Sequence, residues 1–347
     1  MCSKRLESPR IGPCRVPRLL SGGNIPQKRR YTLTLSTDEE KAGFRPTQIA
    51  YDPTRAKVVS VSDIGRVRTL NQDDYGEFQD PDTGMRLLVV VDGMGGHRGG
   101  EVASQMAVQK MMDVFERSAH PSSKELLAQA FREANESIFE RANQESELSG
   151  MGTTAVALVL DGRHEACLAH VGDSRAYRMR QGRLEQLTDD HSVVGELVRG
   201  GQLSSEEARH HPQSNEILRA LGTRPDVDIE FTHVDVRAGD RFLMCSDGLS
   251  GMLSDQVIAT ALAEGPAEEI TQHLIELANG AGGTDNITVQ VAFLPDPDPE
   301  TTVTALELPG SGAAATGPWL RWTIAFLLVV GVLTLLILGG ENPSPSH

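Results

Sequence analysis

The chain has 347 residues, of which 39% are hydrophobic and 23% charged, so it is long and apolar enough to fold around a sizeable core. Its formal net charge of −15 at pH 7 argues against binding of nucleic acid or another polyanion as its main task. It has only four cysteines, and they lack the spacing of a metal site. So low a cysteine content is typical of proteins from a reducing cytoplasm.

The start of the chain differs in composition from the rest. Residues 1–50 carry ten Lys and Arg against four Asp and Glu, are rich in Arg, Pro and Ser, and show no apolar periodicity. This composition predicts a basic, disordered tail over residues 1–54. The acidic excess therefore belongs to the part of the chain that folds.

Residues 55–294 mix short strands with amphipathic helices. Leu87–Val91 is a continuous apolar run that ends at Asp92, a pattern typical of a buried strand with a carboxylate at its tip. Apolar side chains at helical spacing predict a helix over 122–144 that packs on one face. Further strands are predicted at Thr153–Leu160, Glu165–Val171, Arg175–Arg180, Arg241–Ser246 and Ile287–Val291.

Short turns separate several of these strands, at Asp161-Gly162, Gly172-Asp173 and Gln181-Gly182. Turns of this length predict that the strands on either side pair as antiparallel neighbours. Paired helices near 100–144 and 254–279 would cover the resulting sheets. The predicted fold class is therefore α+β, with antiparallel sheets covered by helices.

The end of the chain predicts a membrane anchor. Residues 295–318, rich in Pro, Thr, Gly and Ala, predict an extended linker. The segment 319–340 ends in 19 residues without a charge, about 28 Å as a helix, and Trp319 and Arg321 stand where aromatic belts and cytoplasmic charges belong. We therefore predict a transmembrane helix over 319–340, a short tail over 341–347 and a cytoplasmic main domain. The alternative, a buried helix of a soluble core, would be apolar on every face.

Three aspartates lie at the ends of predicted strands. Asp92 and Asp247 each end an apolar strand and are followed by Gly, which lets the chain turn and leaves a carbonyl beside the carboxylate, and Asp285 precedes another strand. One Asp-Gly is usually only a turn, but the three acids together with Arg68 indicate a site. Oxygen ligands favour Mg²⁺ or Mn²⁺ over zinc. The guanidinium of Arg68 is suited to bind phosphate, and the alternative role for Arg68 is an ion pair at the surface.

Six runs resemble the bacterial metal-dependent protein serine/threonine phosphatases of type 2C, in the order of that family. They are SDIGRVRTLNQDD, LVVVDGMGGHRGGEVAS, AHVGDSRAYRMRQGRLEQLTDDHS, LVRGGQLSSEEARHHPQSNEILRALG, CSDGL and GTDNITV. The resemblance implies a type 2C phosphatase domain over 55–294. It also implies an α-β-β-α sandwich, in which two antiparallel sheets lie face to face, helices lie outside, and metal ions bind at one end between the sheets.

The resemblance also implies roles for single residues. Its metal-binding set comprises Asp73, Asp92, the carbonyl of Gly93, Asp173, Asp247 and Asp285. Asp92 would bridge two Mg²⁺ or Mn²⁺ ions, while Asp173 would help Asp247 to bind a third, weaker ion. Arg68 would bind the phosphate of the substrate. The segment Leu197–Gly222, called the flap below, would lie beside the cleft and select substrates.

The sequence departs from the family pattern at two positions. Gln72 stands where many members have a metal-site Glu, which could lower metal affinity, and Met94 stands where animal relatives have a His proposed as general acid. His97 and His191 are interpreted as structural rather than catalytic residues. Cys245, inside an apolar strand, is interpreted as a packing residue.

The implied activity is hydrolysis of phosphoserine and phosphothreonine in proteins by a metal-activated water, without a phosphoenzyme. Expected partners are phosphorylated proteins, including serine/threonine kinases and their substrates, and the expected location is the bacterial inner membrane through the C-terminal helix. A membrane-tethered pseudophosphatase that binds phosphoproteins without hydrolysing them is the alternative. A metal-dependent nuclease is disfavoured, since the chain has no basic stripe.

Overall fold

A computed structural model describes residues 51–96, 98–118, 122–163 and 165–295. The predicted membrane helix and the short tail after it lie outside the described residues, as do His97, residues 1–50 of the predicted basic tail and nearly all of the predicted linker. Among the residues that are described, no helix combines the length and the apolar character needed to cross a membrane.

The described part of the chain contains two sheets, and every strand pair in them is antiparallel. The strands are β1 (Lys57–Asp63), β2 (Asp73–Gln79), β3 (Arg86–Met94), β4 (Gly152–Thr153), β5 (Ala155–Leu160), β6 (Glu165–Val171), β7 (Arg175–Arg180), β8 (Arg183–Gln186), β9 (Glu230–Asp235), β10 (Arg241–Cys245) and β11 (Ile287–Phe293). Sheet I has the order β1-β11-β10-β7-β8. Sheet II has the order β2-β3-β5-β6-β9, with β4 paired to β3.

Helices cover the outer face of each sheet. The helices of the described part are α1 (Gly99–Glu116), α2 (Ser123–Gln144), α3 (Val193–Arg199), α4 (Ser205–Arg209), α5 (Asp247–Ser250), α6 (Asp255–Ala263) and α7 (Ala267–Gly280). The start of α2 is stabilised by a capping box, in which Ser122 and Glu125 satisfy each other's backbone N–H groups. Buried side chains of α1 and α2 pack on sheet II, and those of α6 and α7 pack on sheet I.

Alternation along the strands builds the layers. In β3, Leu87, Val89 and Val91 belong to the core under α1 and α2, whereas Leu88 and Val90 belong to the core between the two sheets. All five side chains are buried, because a strand in the middle of the sandwich is covered on both faces. The predicted α-β-β-α sandwich is therefore confirmed.

The predicted turns divide into two kinds. Asp161-Gly162 joins β5 to β6 and Gln181-Gly182 joins β7 to β8, and both pairs are antiparallel neighbours as predicted. The same prediction for Gly172-Asp173 is wrong, because β6 belongs to sheet II and β7 to sheet I. Three residues from 172 to 174 suffice to bridge the roughly 10 Å between packed sheets. A short turn limits distance but does not determine the pairing partner.

The folded part also begins before the predicted boundary at residue 55. Tyr51 is buried in the core between the sheets. Asp52 accepts a hydrogen bond from the backbone N–H of Thr54 and caps a turn of 3-10 helix at Pro53–Arg55. Residues 51–54 therefore belong to the domain rather than to the basic tail.

Candidate metal centre

Two carboxylates of sheet II face each other at one end of the layer between the sheets. Asp92 follows Leu88 and Val90 on the inward face of β3, and Asp73 of β2 lies directly opposite it in the strand register. Side chains paired in this way have Cβ atoms about 4.5–5.5 Å apart. The core between the sheets therefore changes from apolar to acidic within a single strand.

Sheet I supports this acidic end with hydroxyl groups. Ser246, directly after β10, donates from its Oγ to Asp73 Oδ2 over 2.7 Å, and its Oγ accepts from the backbone N–H of Thr288 over 3.0 Å. Asp247 follows at the start of α5. The hydrogen bond between Ser246 and Asp73 joins the two sheets at the point where the acids meet.

The glycines after Asp92 and Asp247 are required because neighbouring chain segments approach closely. A Cβ at Gly93 would lie 2.1 Å from the carbonyl oxygen of Gly100, and a Cβ at Gly248 would lie 1.9 Å from that of Asn286. Neither glycine has a positive φ angle. Their small size, rather than a sharp turn, therefore explains the two Asp-Gly pairs.

Asp173 reaches the site because the chain crosses between sheets at this end. It follows Gly172, whose φ of +105° is in the region that favours glycine. The next residue, Ser174, shares a 2.7 Å hydrogen bond with Thr154, and the Thr154 hydroxyl accepts from the backbone N–H of Asp92 over 3.0 Å. Two hydroxyl groups thus connect the loop of Asp173 to the strand that carries Asp92.

The electrostatics of the acids show that they form one cluster. The pKa of Asp73 is raised to about 7, mainly by burial and also by the charges of Asp247 and Asp285, against the hydrogen bonds from hydroxyl groups, which lower it. Burial, and then the charges of Asp73, Asp247 and Asp173, raise the pKa of Asp92 well above its ordinary value. Burial and the charge of Asp247 do the same to the pKa of Asp173. A cluster of this kind is stable in its charged form only if positive charge joins it.

Arg68 and Asp285 form an ion pair at the edge of the cluster. Arg68 donates from Nη2 to Asp285 Oδ2 over 2.7 Å, and Asp285 Oδ1 accepts from the backbone N–H of Asn286 over 2.8 Å. The Arg68 side chain is 47% exposed. The structure therefore brings Arg68 to the acids, although it engages one of the predicted metal ligands there.

The donor set fits hard divalent cations. The structure brings the predicted acids Asp73, Asp92, Asp173 and Asp247 together, with Asp285 at the edge. Asp173 and Asp247 each keep one buried carboxylate oxygen that has no hydrogen-bond partner among the described residues. Bare carboxylate oxygens are costly to bury and are the ligands that Mg²⁺ and Mn²⁺ prefer.

The structure also shows the contacts or burial of Gln72, Met94 and Cys245. Gln72 lies beside the cluster, where its backbone carbonyl accepts from the N–H of Gly93 over 3.1 Å and its Nε2 lies 3.5 Å from the oxygen of Gly95. Met94 is half-buried at the end of β3. Cys245 is buried, and burial raises the pKa of its thiol to about 12, which agrees with a packing role.

A second group of potential ligands, His170, His191 and Glu230, was not predicted as a set. His170 donates through Nε2 to the carbonyl of Asp189, burial lowers its pKa, and its Nδ1 has no partner within the described part of the chain. His191 accepts at Nδ1 from Gly172 N–H and donates at Nε2 to Glu230, which agrees with a satisfied structural histidine. The two rings stack with 19° between their planes, so their lone pairs do not converge on one ion. No separate sequence motif joins these three positions.

A cavity of about 500 Å³ extends from the acids to the flap. At one end it is lined by Asp173, Asp247 and Asp285. At the other it is lined by flap residues that include Arg199 and Arg209. The cavity offers room for the residues that flank a reacting group bound at the acids.

The relatives found by sequence and those found by structure are both protein phosphatases. Residues 65–283 match the family described as Protein phosphatase 2C. The serine/threonine phosphatase stp of Listeria welshimeri is 40% identical over 233 residues, which are 66% of this chain and 92% of the relative.

Two solved structures resemble this fold closely. The Mycobacterium tuberculosis serine/threonine phosphatase PstP/Ppp matches with a TM-score of 0.63 and 41% identity, over 69% of this chain and 99% of that one. The catalytic domain of a phosphatase PstP in complex with two manganese ions matches with a TM-score of 0.62 and 39% identity, over 70% of this chain and 99% of that one.

Proposed function

Since this chain belongs to the protein phosphatase 2C family and is a metal-dependent serine/threonine protein phosphatase, we propose that it hydrolyses phosphoserine and phosphothreonine at a binuclear Mg²⁺ or Mn²⁺ centre with Arg68 binding the phosphate. The manganese-bound relative supports the choice of ions. Serine/threonine kinases and their targets are the proposed partners, because such kinases produce the phosphorylated residues that this activity removes.

The acidic cluster is the observation that carries this proposal. Asp92 lies centrally, because the charges of Asp73, Asp173 and Asp247 all act on it, and it is the proposed bridging ligand. Asp173 and Asp247 contribute bare buried oxygens, and Asp173 with Asp247 is the proposed site of a third ion. The carbonyl of Gly93 is a further proposed ligand.

Mg²⁺ or Mn²⁺ held by these acids would supply positive charge to the phosphoryl oxygens and would lower the pKa of a water molecule from 15.7 towards about 7. The chain's own residues position the reactants. Ser246 fixes the carboxylate of Asp73, and the Thr154 hydroxyl fixes the backbone of Asp92, so the Asp73 carboxylate and the strand end that carries Asp92 reorganise little during the reaction. The Cys245 thiol, buried in its strand, is not available as a nucleophile.

Arg68 is the proposed phosphate-binding residue. Its ion pair with Asp285 is partly exposed to solvent, and pairs of this kind contribute only about 0–1 kcal/mol. A phosphate dianion offers a guanidinium two parallel charge-assisted hydrogen bonds and can therefore compete with Asp285. Exchange of this partner would leave Asp285 free to turn towards the cluster.

The test is manganese-dependent release of phosphate from a phosphothreonine peptide. We expect turnover by the wild type, near-complete loss in Asp247→Asn, and a KM raised about tenfold or more in Arg68→Ala, because about 1.5–3 kcal/mol of charge-assisted bonding is removed. Arg163→Ala is the matched control, since Arg163 is 79% exposed and lies outside the cavity. Thermal stabilisation by Mn²⁺ should persist in Arg68→Ala.

Three results would contradict the proposal. Near-normal activity of Asp247→Asn would exclude it as a metal ligand. Binding of the phosphopeptide without phosphate release would favour the pseudophosphatase. Faster manganese-dependent cleavage of DNA or RNA than of the phosphopeptide would favour a nuclease.

The proposed location is the inner face of a bacterial cell membrane. The uncharged run within 319–340 and the positive charge at Arg321 support a single membrane helix with the catalytic domain in the cytoplasm. Deletion of residues 318–347 should move the protein from the membrane to the soluble fraction and keep its activity on a peptide. An aggregated or inactive product would show instead that the apolar segment belongs to the core.

A further inference from the structure

The cavity beside the acidic cluster has a second charged wall that the proposed reaction does not use. The flap contributes Arg199 from α3 and Arg209 from α4 to this wall. Arg68 is not among the residues that line the cavity. A phosphate held by Arg68 beside the acidic cluster would therefore leave the flap arginines to contact a neighbouring part of the substrate.

Arg209 is nearly buried but incompletely hydrogen-bonded. Its side chain is 12% exposed, and its only partner among the described residues is Glu206, three positions earlier, whose side chain is 66% exposed. A guanidinium carries five N–H donors, so most donors of Arg209 have no protein acceptor in this part of the chain. These unpaired donors reach solvent, because no nitrogen of Arg209 is buried without a hydrogen-bond partner. The donors are thus available to a ligand in the cavity.

Arg199 is fixed at the same wall. It donates from Nη1 to the carbonyl of Asp190 over 2.9 Å and pairs through Nη2 with Glu196, whose side chain is 58% exposed. Asp190 is itself held by Arg175, which donates to both of its carboxylate oxygens. These contacts orient Arg199 and neutralise Asp190, and its exposed glutamate partner is weakly bound.

One carboxylate of the cavity has the opposite preference. Asp189 is exposed, and within the described residues its side chain makes no hydrogen bond or ion pair. A basic group in the substrate would suit Asp189. The wall nevertheless contains two guanidinium groups and only this one free carboxylate. Arg209 is more buried than Arg199 or Asp189.

We propose that this second charged wall of the cavity is an anion subsite. Arg209, with Arg199 beside it, binds a carboxylate or a second phosphate next to the phosphoresidue of a substrate. The subsite presupposes the proposed phosphatase function. A phosphate gives the stronger effect, because it offers more acceptor oxygens and more negative charge than a carboxylate. The exposed glutamates Glu196 and Glu206 give way to this ligand. The preferred substrates are accordingly phosphoproteins with acidic or doubly phosphorylated segments.

The experiment compares phosphothreonine peptides that differ at the residues flanking the phosphothreonine. These residues are Ala, Glu, Lys or a phosphonate analogue of phosphothreonine that resists hydrolysis. For the wild type we expect kcat/KM to rise severalfold from Ala to Glu and about tenfold from Ala to the phosphonate, the effect of roughly one charge-assisted interaction. In Arg209→Gln, the ratio of each acidic peptide to the Ala peptide should fall towards one, with a smaller fall in Arg199→Gln.

The matched controls separate recognition from folding. Arg209→Lys keeps the charge and should retain part of the ratio, and Arg163→Gln, far from the cavity lining, should retain all of it. The inference is overturned if Arg209→Gln keeps the wild-type ratios, or if the wild type prefers the Lys peptide, which would assign the wall to Asp189. Failure of the wild type to hydrolyse any of the peptides would instead overturn the proposed function, and this subsite with it.

Discussion

The layer between the two sheets has two halves that share strands but differ in chemistry. In β3, Leu88 and Val90 fill the apolar half, and Asp92, the next side chain on the same face, begins the acidic half. In β10, Phe242 and Met244 are followed in the same way by Ser246, which binds an acid of the facing sheet. One alternating pattern therefore builds a core and then a site.

The comparison shows that burial has opposite effects in the two halves. Each fully buried Leu or Val contributes about 1.5–3 kcal/mol to folding. The same desolvation raises the pKa of Asp73 and of Asp92, which means that their charged forms are disfavoured. The apolar half thus stabilises the fold, and the acidic half costs stability until cations bind.

The largest effect should come from removing a charge in the acidic half. Asp92→Asn should reduce manganese-dependent kcat by at least about 10³-fold, which corresponds to about 4 kcal/mol of activation free energy. The same substitution should raise the free energy of unfolding of the metal-free protein, since it removes a desolvated charge repelled by its neighbours. Phosphatase assays and urea titrations measure the two effects.

Asp226→Asn is the control, because Asp226 is exposed and outside the cavity. A loss of stability in metal-free Asp92→Asn would contradict the view that this half is strained by its own charges. Full activity would remove Asp92 from the metal centre.

The second effect tests the apolar half. Leu158 is 1% exposed in the core between the sheets, and Leu158→Ala should lower the free energy of unfolding by about 2–5 kcal/mol. The surviving folded protein should still be stabilised by Mn²⁺, because the acids are unchanged. A loss below about 1 kcal/mol in urea titrations would show that this layer does not carry the stability assigned to it.

The apolar half was also the easier one to predict. β3, β5 and β10 are short apolar runs, and these strands are found where the sequence places them. β1, β2, β8 and β9 were missed, because each is the edge strand of its sheet, is partly exposed and mixes polar with apolar side chains. Periodicity detects a strand by its buried face, and an edge strand has little of one.

The acids of the site could be named from motifs, but their supports could not. Ser246 and Thr154 orient acids in the facing and neighbouring strands, and a lone hydroxyl residue has no signal of its own in a sequence. The ion pair of Arg68 with Asp285 joins positions 217 residues apart. Asp173 was assigned to the site through the family resemblance, whereas the turn that carries it was assigned to the wrong strand pairing.

A third effect concerns ions directly. Mn²⁺ at 100 times its dissociation constant should stabilise the folded protein by about 2.7 kcal/mol per independent site, because the ion binds the folded state and not the unfolded chain. Thermal melting with and without a chelator measures this. Asp247→Asn should lose most of the stabilisation while Leu158→Ala keeps it, and equal responses of the two variants would show that the ions bind elsewhere.

The smallest effect is a pH dependence of the metal-free protein. The pKa of Asp73 is about 7 in the folded state and 3.8 in its unperturbed form, so between these values the folded state holds more protons than the unfolded chain. The free energy of unfolding should therefore fall as the pH rises from about 5 to 7, by at most about 1.4 kcal/mol per pH unit for each such carboxyl. Ordinary ion-paired carboxylates titrate below this window, whereas His170, whose pKa is lowered by burial, contributes a slope of the opposite sign that Asp73→Asn leaves unchanged. Asp73→Asn should make the slope less negative than in the wild type, and saturating Mn²⁺ should reverse it. Equal slopes in the metal-free wild type and Asp73→Asn would show that Asp73 is already charged and compensated within the fold.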